Sequence, residues 1–385
     1  ARHRDRKGHM AHCCPELLDP EAWAGGGAEH VWARVLERHG PGSPAASVMQ
    51  LRFGFGGAGS QGPQAVAAAL GVKSHHVLTT VHRVLRSIPL VAEAGELAVL
   101  HEDDELLAVA KPPQLPVSPP NRFRGGALLN VAAHHLARTG AEPRPVHRLD
   151  CETSGVLLLA KTREAARHLG GQLSGGGAEK AYLCLCEGAE RARGSEFTVD
   201  MPISHVGSGR HGIQAGSGQG VCSDKEFWCC RSAPPCCGRL SSHSAASRTA
   251  HFAALGLARA PRGTAEACHR ARGMGCEAQT AFRVLAVGRR ACHGGGSAML
   301  VLARPRTGRT HQIRLHAAHA GVPLLGDSAY GVATPLLSRQ ALHAWRLRVR
   351  QPRTGAELRL AAAPPDDFAR CAAALGLELP REGAA

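Results

Sequence analysis

Residues 146–162 read VHRLDCETSGVLLLAKT, a cluster of His147, Arg148, Asp150, Glu152 and Thr153 that passes through a Ser-Gly turn into Val156-Leu157-Leu158-Leu159-Ala160. The apolar run is short and turn-bounded, as a buried strand is. A carboxylate on the rim of such a strand is held firmly enough to do chemistry. A lone Asp beside an Arg is more often a solvated or capping group, so its standing depends on what accompanies it.

A second block, residues 304–331, reads RPRTGRTHQIRLHAAHAGVPLLGDSAYG. Thr307-Gly308 supplies a turn, Thr310 is placed to cap a helix, and Gly321 is placed to end it. On that helix Thr310, Arg314 and Ala317 share one side, which points Arg314 away from Arg309. Arginines packed among apolar residues need anionic partners, and Asp150 is the candidate for one of them. His316 and His319 are three apart, but no third ligand at metal spacing accompanies them, which favours structural histidines. The third piece is Lys180-Ala181-Tyr182, opening a strand. A tyrosine there is most often a core or edge aromatic; stacking on a base is the functional alternative.

The elements that must position these groups are legible around them. AVLH and LLAVA, split by Glu102-Asp103-Asp104-Glu105, read as a hairpin with an acidic turn. Residues 127–138 and 163–173 have helical spacing, and residues 180–186, 280–287 and 298–303 are strand-like. Residues 341–361 read as two strands around a Pro-Arg-Thr-Gly turn, and 366–377 as a closing helix. Residues 1–96 are poorly defined: helical periodicity near 29–37 and 77–85 flanks a Gly-rich stretch at 54–62 that reads as linker. The domain plan is an N-terminal region (1–96), a catalytic domain in two parts (97–203 and 277–370), a Cys/Ser/Gly-rich insertion (204–276) and a tail (371–385). The insertion is expected to be disordered. Its Cys229-Cys230 and Cys236-Cys237 pairs raise zinc binding as a rival, but their spacing departs from that of zinc ligands.

Composition narrows the class. The chain has 385 residues and a net charge of +15, from 46 Lys and Arg against 31 Asp and Glu, which favours polyanionic partners, nucleic acid first. Only two tyrosines occur, Tyr182 and Tyr330, both inside the segments already singled out. No run approaches the roughly 18–20 apolar residues of a membrane span, so a soluble protein is expected. The 14 cysteines of so long a chain suggest a reducing compartment rather than a disulfide scaffold. The Arg- and His-rich start is weak support for a transit peptide, leaving cytoplasm, plastid or mitochondrion open.

VHRLDCETSGVLLLAKT, KAYLCLCEG and TGRTHQIRLHAAHAGVPLLGDSAYG, in that order, resemble the RluA-type pseudouridine synthases. HEDDELLAVAKPPQLPVSP before them and LHAWRLRVRQPRTGAELRLAAAPPDDF after them support the likeness, which covers roughly residues 98–204 and 277–369. The resemblance implies a pseudouridine synthase fold of α/β (α+β) class, with a mixed, largely antiparallel central sheet flanked by helices. It implies isomerisation of uridine in ribosomal or transfer RNA without metal or organic cofactor. By the same likeness Asp150 is the nucleophile, Tyr182 stacks on the flipped uracil and acts as base, and Arg314 pairs with Asp150. Arg148 enters the RNA stack where the base leaves, and His147, Arg309, His311 and Lys111 are expected to contact RNA. A monomer is expected, bound to no membrane. Cys151 stands where the family often has lysine, and the insertion is longer than usual. A catalytically silent RNA-binding protein of the same fold is the rival from another class. A two-carboxylate hydrolase fits less well, since only Glu152 lies near Asp150 in sequence and nothing marks a matched pair.

Overall fold

The structure, a computed structural model, describes residues 27–57, 59–119, 122, 125–188, 195–207, 210–213, 276–290 and 297–380. The chain divides into two compact units, Ala1–Glu96 with Pro116–Ala141, and Leu97–Leu115 with Glu142–Ala385.

The first unit is helical: α1 (Gly27–His39), α2 (Pro44–Phe53), α3 (Pro63–Leu70), α4 (Ser74–Ser87) and α5 (Leu128–His135). The Ser43 hydroxyl accepts from the Ala46 N–H at 3.1 Å, Pro44 occupies the first turn, and Gly54 ends α2 at φ 73°. Val31 and Val35 of α1, Met49 and Phe53 of α2, Val66 of α3, and Val77, Val81 and Val84 of α4 share one core. The structure differs from the linker expected at residues 54–62, while residues 1–26 lie outside the described residues. The supposed linker contains a 3-10 turn, Phe55–Gly57, whose buried Phe55 ring stacks on Trp32 at 5.4 Å. Helices of 8 to 14 residues separated by Gly and Pro are too short to display a clear stripe. Residues 116–141, assigned by the sequence plan to the catalytic part, also belong here: Asn130 donates to the Val91 carbonyl at 2.8 Å, and the Glu93 N–H donates to the Asn130 carbonyl at 3.0 Å.

The second unit carries the sheet. Its strands are β1 (Val99–Glu102), β2 (Leu106–Lys111), β3 (Arg144–Pro145), β4 (Ser154–Ala160), β5 (Glu179–Glu187) and β6 (Glu196–Asp200), then β7 (Ile203–Gly207), β8 (Arg210–Ile213), β9 (Gln279–Arg290), β10 (Ser297–Pro305), β11 (Leu342–Arg350) and β12 (Glu357–Ala361). Its helices are α6 (Arg163–Ser174), α7 (Gln312–His319) and α8 (Asp366–Ala374). Ten strands form one sheet in the order β1-β2-β4-β11-β5-β10-β9-β6, with β12 beside β11 and β3 beside β4. Among the described strands of this sheet, only β4 and β11 run parallel. The acidic turn between β1 and β2 works as read: Asp103 Oδ1 accepts from the Glu105 and Leu106 N–H groups at 2.8 and 2.9 Å.

Alternation along the strands divides the core. Leu183 and Leu185 of β5 pack with Phe368 and Cys371 of α8, while Cys184 and Cys186 face Ile313 and Ala317 of α7. β4 is buried throughout, with Val156 and Leu158 against Ala165 and Leu169 of α6. The planned tail at 371–385 begins inside α8 and is buried at Cys371, Ala372, Leu375 and Leu377; residues 381–385 lie outside the described residues. The planned insertion begins inside the β7–β8 hairpin. Residues 214–275, with the Cys229-Cys230 and Cys236-Cys237 pairs, lie outside the described residues.

Candidate active site

Three neighbouring strands set the site. Ala344 of β11 pairs with Gly155 of β4 on one side and Tyr182 of β5 on the other, and Tyr182 pairs onward with Ala303 of β10. At about 4.8 Å per strand, Gly155 and Tyr182 lie about 10 Å apart. Gly155 has φ 113°, and a Cβ there would come within 2.1 Å of the Ala344 carbonyl oxygen. Glycine is therefore required where the Asp150 loop enters β4. The loop is fixed further by Lys111, which is 1% exposed and donates to the carbonyls of Pro112, Leu115 and Cys151 at 2.8, 2.7 and 2.8 Å. Burial lowers its pKa to about 8. Lys111 is thus not a phosphate contact, which corrects the sequence expectation: three inward carbonyls use its donors.

The charges form a chain through one guanidinium. Arg314 Nη1 donates to Asp150 Oδ2 at 3.1 Å, while Nε and Nη2 grip Asp327 at 2.7 and 2.8 Å. Asp327 is 1% exposed and its Oδ1 also accepts from the Ala329 and Tyr330 N–H groups at 2.9 and 3.1 Å. Burial alone would raise the Asp327 pKa, but Arg314 and the two amides outweigh it and hold the carboxyl below its ordinary value. The Arg314 guanidinium also lies over the Tyr330 ring, 5.0 Å from its centroid. Gln340 gives Asp150 Oδ2 a second donor at 3.3 Å and bonds Thr153 Oγ1 at 2.7 Å. Glu152, the nearest carboxylate in sequence, accepts from the Gln340 N–H at 3.2 Å and so positions that glutamine. Both donors meet one oxygen of Asp150; near its other oxygen, Oδ1, the described residues place His311 Nε2, at 3.9 Å.

α7 carries Arg314 and is anchored by Gln312. The Gln312 Oε1 accepts from Thr307 Oγ1 and the Arg309 N–H at 2.7 and 3.0 Å, and its Nε2 donates to Gln279 O and Thr280 Oγ1, both at 3.0 Å. Thr310 does not cap the helix, contrary to expectation. The capping residue is His311 at φ 56°, a left-handed turn that brings its Nδ1 to 3.0 Å from the Tyr330 hydroxyl. His316 is buried with both ring nitrogens engaged, at 3.0 Å from Thr280 Oγ1 and 3.0 Å from Met201 O, which makes it structural. Among the described residues no group of three or more His, Cys, Asp or Glu could hold a metal ion.

Tyr182 is half-buried. Its enclosure, and then the negative charge of Asp150, raise the phenol pKa well above the ordinary value. Arg148 is exposed, as is Arg309, whose Nε donates to Glu277 O at 2.9 Å. His147 departs from its expected RNA-binding role: its Nε2 accepts from the Leu158 N–H at 3.0 Å, and enclosure lowers its pKa to about 4. It braces β4. Sequence reasoning missed Asp327 and Gln340. The GDSAYG string held the signal for Asp327, since the need of Arg314 for anions could have nominated the acid that follows it on the same block.

The site thus brings together a carboxylate with one oxygen tethered and one open and an enclosed tyrosine, on a basic chain. A family model described as "RNA pseudouridylate synthase" matches residues 105–319. "Ribosomal large subunit pseudouridine synthase D" of Nitrosomonas europaea is 32% identical over 289 residues, covering 72% of this chain and 65% of that protein; the chain thus spans just under two thirds of that relative. The protein of the same name from Pseudomonas aeruginosa is 30% identical over 294 residues, covering 72% of this chain and 71% of its own. "RNA pseudouridine synthase 2, chloroplastic" of Oryza sativa subsp. japonica is 27% identical over 418 residues, covering 91% and 80%. The chain belongs to the RluA-type family of RNA pseudouridine synthases. Among the described residues no helix is long and apolar enough to cross a membrane.

Proposed function

We propose that the chain isomerises uridine to pseudouridine in ribosomal or transfer RNA, with Asp150 Oδ1 as the nucleophile. The observation that carries this is the allocation of donors: Arg314 and Gln340 hold Oδ2, leaving Oδ1 for chemistry. The target base must leave its stack to reach such a site. Oδ1 bonds to C1′ as the N1–C1′ bond breaks, and the electron pair leaves with the uracil. The ring turns, C5 attacks C1′, and the carboxylate departs. The C5 proton is lost to a base, and N1 gains one, so atoms and electrons balance without a redox partner. Tyr182 supplies the stacking wall and hydroxyl at the ring, and exposed Arg148 fills the vacated stack. Ribosomal RNA is favoured by the names of the bacterial relatives, and the rice relative's name makes a plastid one of the compartments to examine.

Purified full chain incubated with unmodified rRNA and tRNA transcripts, followed by nucleoside chromatography, tests the reading. Wild type forms pseudouridine, and Asp150→Asn forms none while binding the same RNA within a few-fold. A wild type that binds these RNAs but modifies none overturns the proposal in favour of a silent RNA-binding protein.

A further inference from the structure

The first unit contains an arrangement that uridine isomerisation does not use. α3 and α4 are joined by three residues, Gly71-Val72-Lys73, with Gly71 left-handed at φ 64° and the Val72 N–H donating to Ala67 O at 3.0 Å. Val77, Val81, Val84 and Leu85 put one face of α4 into the core shared with Val66 and Ala67 of α3 and Met49 of α2. We propose that α3, this turn and α4 are a helix-turn-helix that docks on duplex DNA, with α4 entering the major groove.

The outward face fits that occupant. Lys73 of the turn and Ser74, His75, His76, Thr79 and Arg83 of α4 are exposed, a row of donors and acceptors able to meet base edges and phosphates. Between Glu37 and Glu93 the chain has no carboxylate, whereas Arg38, Lys73 and Arg83 are exposed cations. A stretch of 55 residues without one anion suits a phosphate backbone. The His76 N–H closes onto Lys73 O at 2.8 Å, and Lys73 offers no side-chain cap to the amides before it, which leaves that end of α4 open to a phosphate. Of the large apolar residues in this unit's described part, only Val72 is exposed, at 41%, which argues against a protein partner. α4 has 14 residues, so it is about 21 Å long and, with side chains, about 10–12 Å across. That matches a B-form major groove about 12 Å wide, whereas the A-form RNA major groove is too deep and narrow to admit a helix.

The test uses the full chain and a labelled 30-base-pair DNA duplex, with an RNA duplex of the same sequence alongside, followed by fluorescence polarisation from 50 to 200 mM salt. Wild type binds the DNA, and Lys73→Glu/Arg83→Glu weakens it at least tenfold. The log–log salt slope flattens by about 1 for each phosphate that the variant no longer neutralises. Thermal stability, and turnover on RNA where wild type modifies it, stay unchanged; Lys73→Ala/Arg83→Ala gives the same direction if charge reversal perturbs folding. A wild type that ignores DNA overturns the proposal, as does a variant that binds it normally. Equal weakening on DNA and RNA duplexes also overturns it, by making the face a general or RNA-directed one.

Discussion

Replacing Asp327 by Asn probes the charge chain without changing its shape. The native carboxylate, 1% exposed, takes two N–H groups from Arg314, itself only 7% exposed. The amide keeps one oxygen for Ala329, Tyr330 and Nη2, but it turns an NH2 toward Arg314 Nε, donor against donor. Breaking one side of a buried ion pair costs about 3–5 kcal/mol. Taking 3 kcal/mol, a unit of about 150–250 residues melts about 6–12 °C lower. Among the described residues Arg314 then has Asp150 as its one carboxylate partner. Its Nη1 contact changes from a single tether into the sole charge neutralisation, and turnover falls with stability. Because Arg314 holds the folded Asp327 pKa below its ordinary value of about 4, its contribution is present above that pH and lost as pH falls through the folded pKa. The gap between wild type and Asn variant is therefore full at pH 7 and closes in acid. Calorimetry at pH 7 and pH 3, with single-turnover pseudouridine formation at pH 7, reads both effects. An Asn variant that melts within 2 °C of wild type and turns over normally refutes the reasoning. An Arg314→Met/Asp327→Leu pair recovers much of the stability and none of the turnover, since it removes both buried charges.

Tyr182 stays protonated across pH 6–9, so the single-turnover rate shows no inflection assignable to it; an inflection in that range that vanishes in Tyr182→Phe contradicts this. Lys111→Met strands three buried carbonyls and destabilises by about 2–3 kcal/mol, while RNA affinity and its salt slope hold; a slope flatter by one in filter binding returns Lys111 to the phosphates. Burial lowers His316 and His343 to a pKa of about 4. The unfolded chain, whose histidines titrate near 6.5, then binds more protons between about 4 and 6.5, so stability falls as pH drops through that window, by up to about 1.4 kcal/mol per pH unit for each. Urea titrations at pH 7, 6 and 5 check it, and a flat midpoint there sinks the argument.

The strands around the site were legible because they are short, apolar and turn-bounded: residues 156–160, 180–186 and 298–303 all lie within β4, β5 and β10. Their order in the sheet was not legible. β11 inserts between β4 and β5, and this follows from contacts far apart in sequence, such as Ser154 Oγ with His343 Nδ1 at 2.9 Å. Asp150 and Arg314 could be paired on charge alone, but a charge pattern does not say how one guanidinium divides between two acids. Lys111 and His147 looked like surface groups because polar residues usually are; only the fold shows that each completes a backbone bond inside the unit. The helices between residues 44 and 70 were missed for a different reason. They are short, and Gly54, Gly62 and Gly71 are helix-boundary residues that resemble linker composition.

The division of Arg314 is what makes Asp150 usable. Had the guanidinium gripped Asp150 with both Nε and Nη2, both carboxylate oxygens would be donating electron density into strong charge-assisted bonds. Asp327 takes that bidentate grip instead, deep in the core, and leaves Nη1 alone for Asp150. The single bond orients the Asp150 carboxylate without covering it, and Gln340 adds a neutral donor to the same oxygen. Such a site needs the second acid as much as the first: without Asp327, the arginine that should aim Asp150 is released to close over its open oxygen as well.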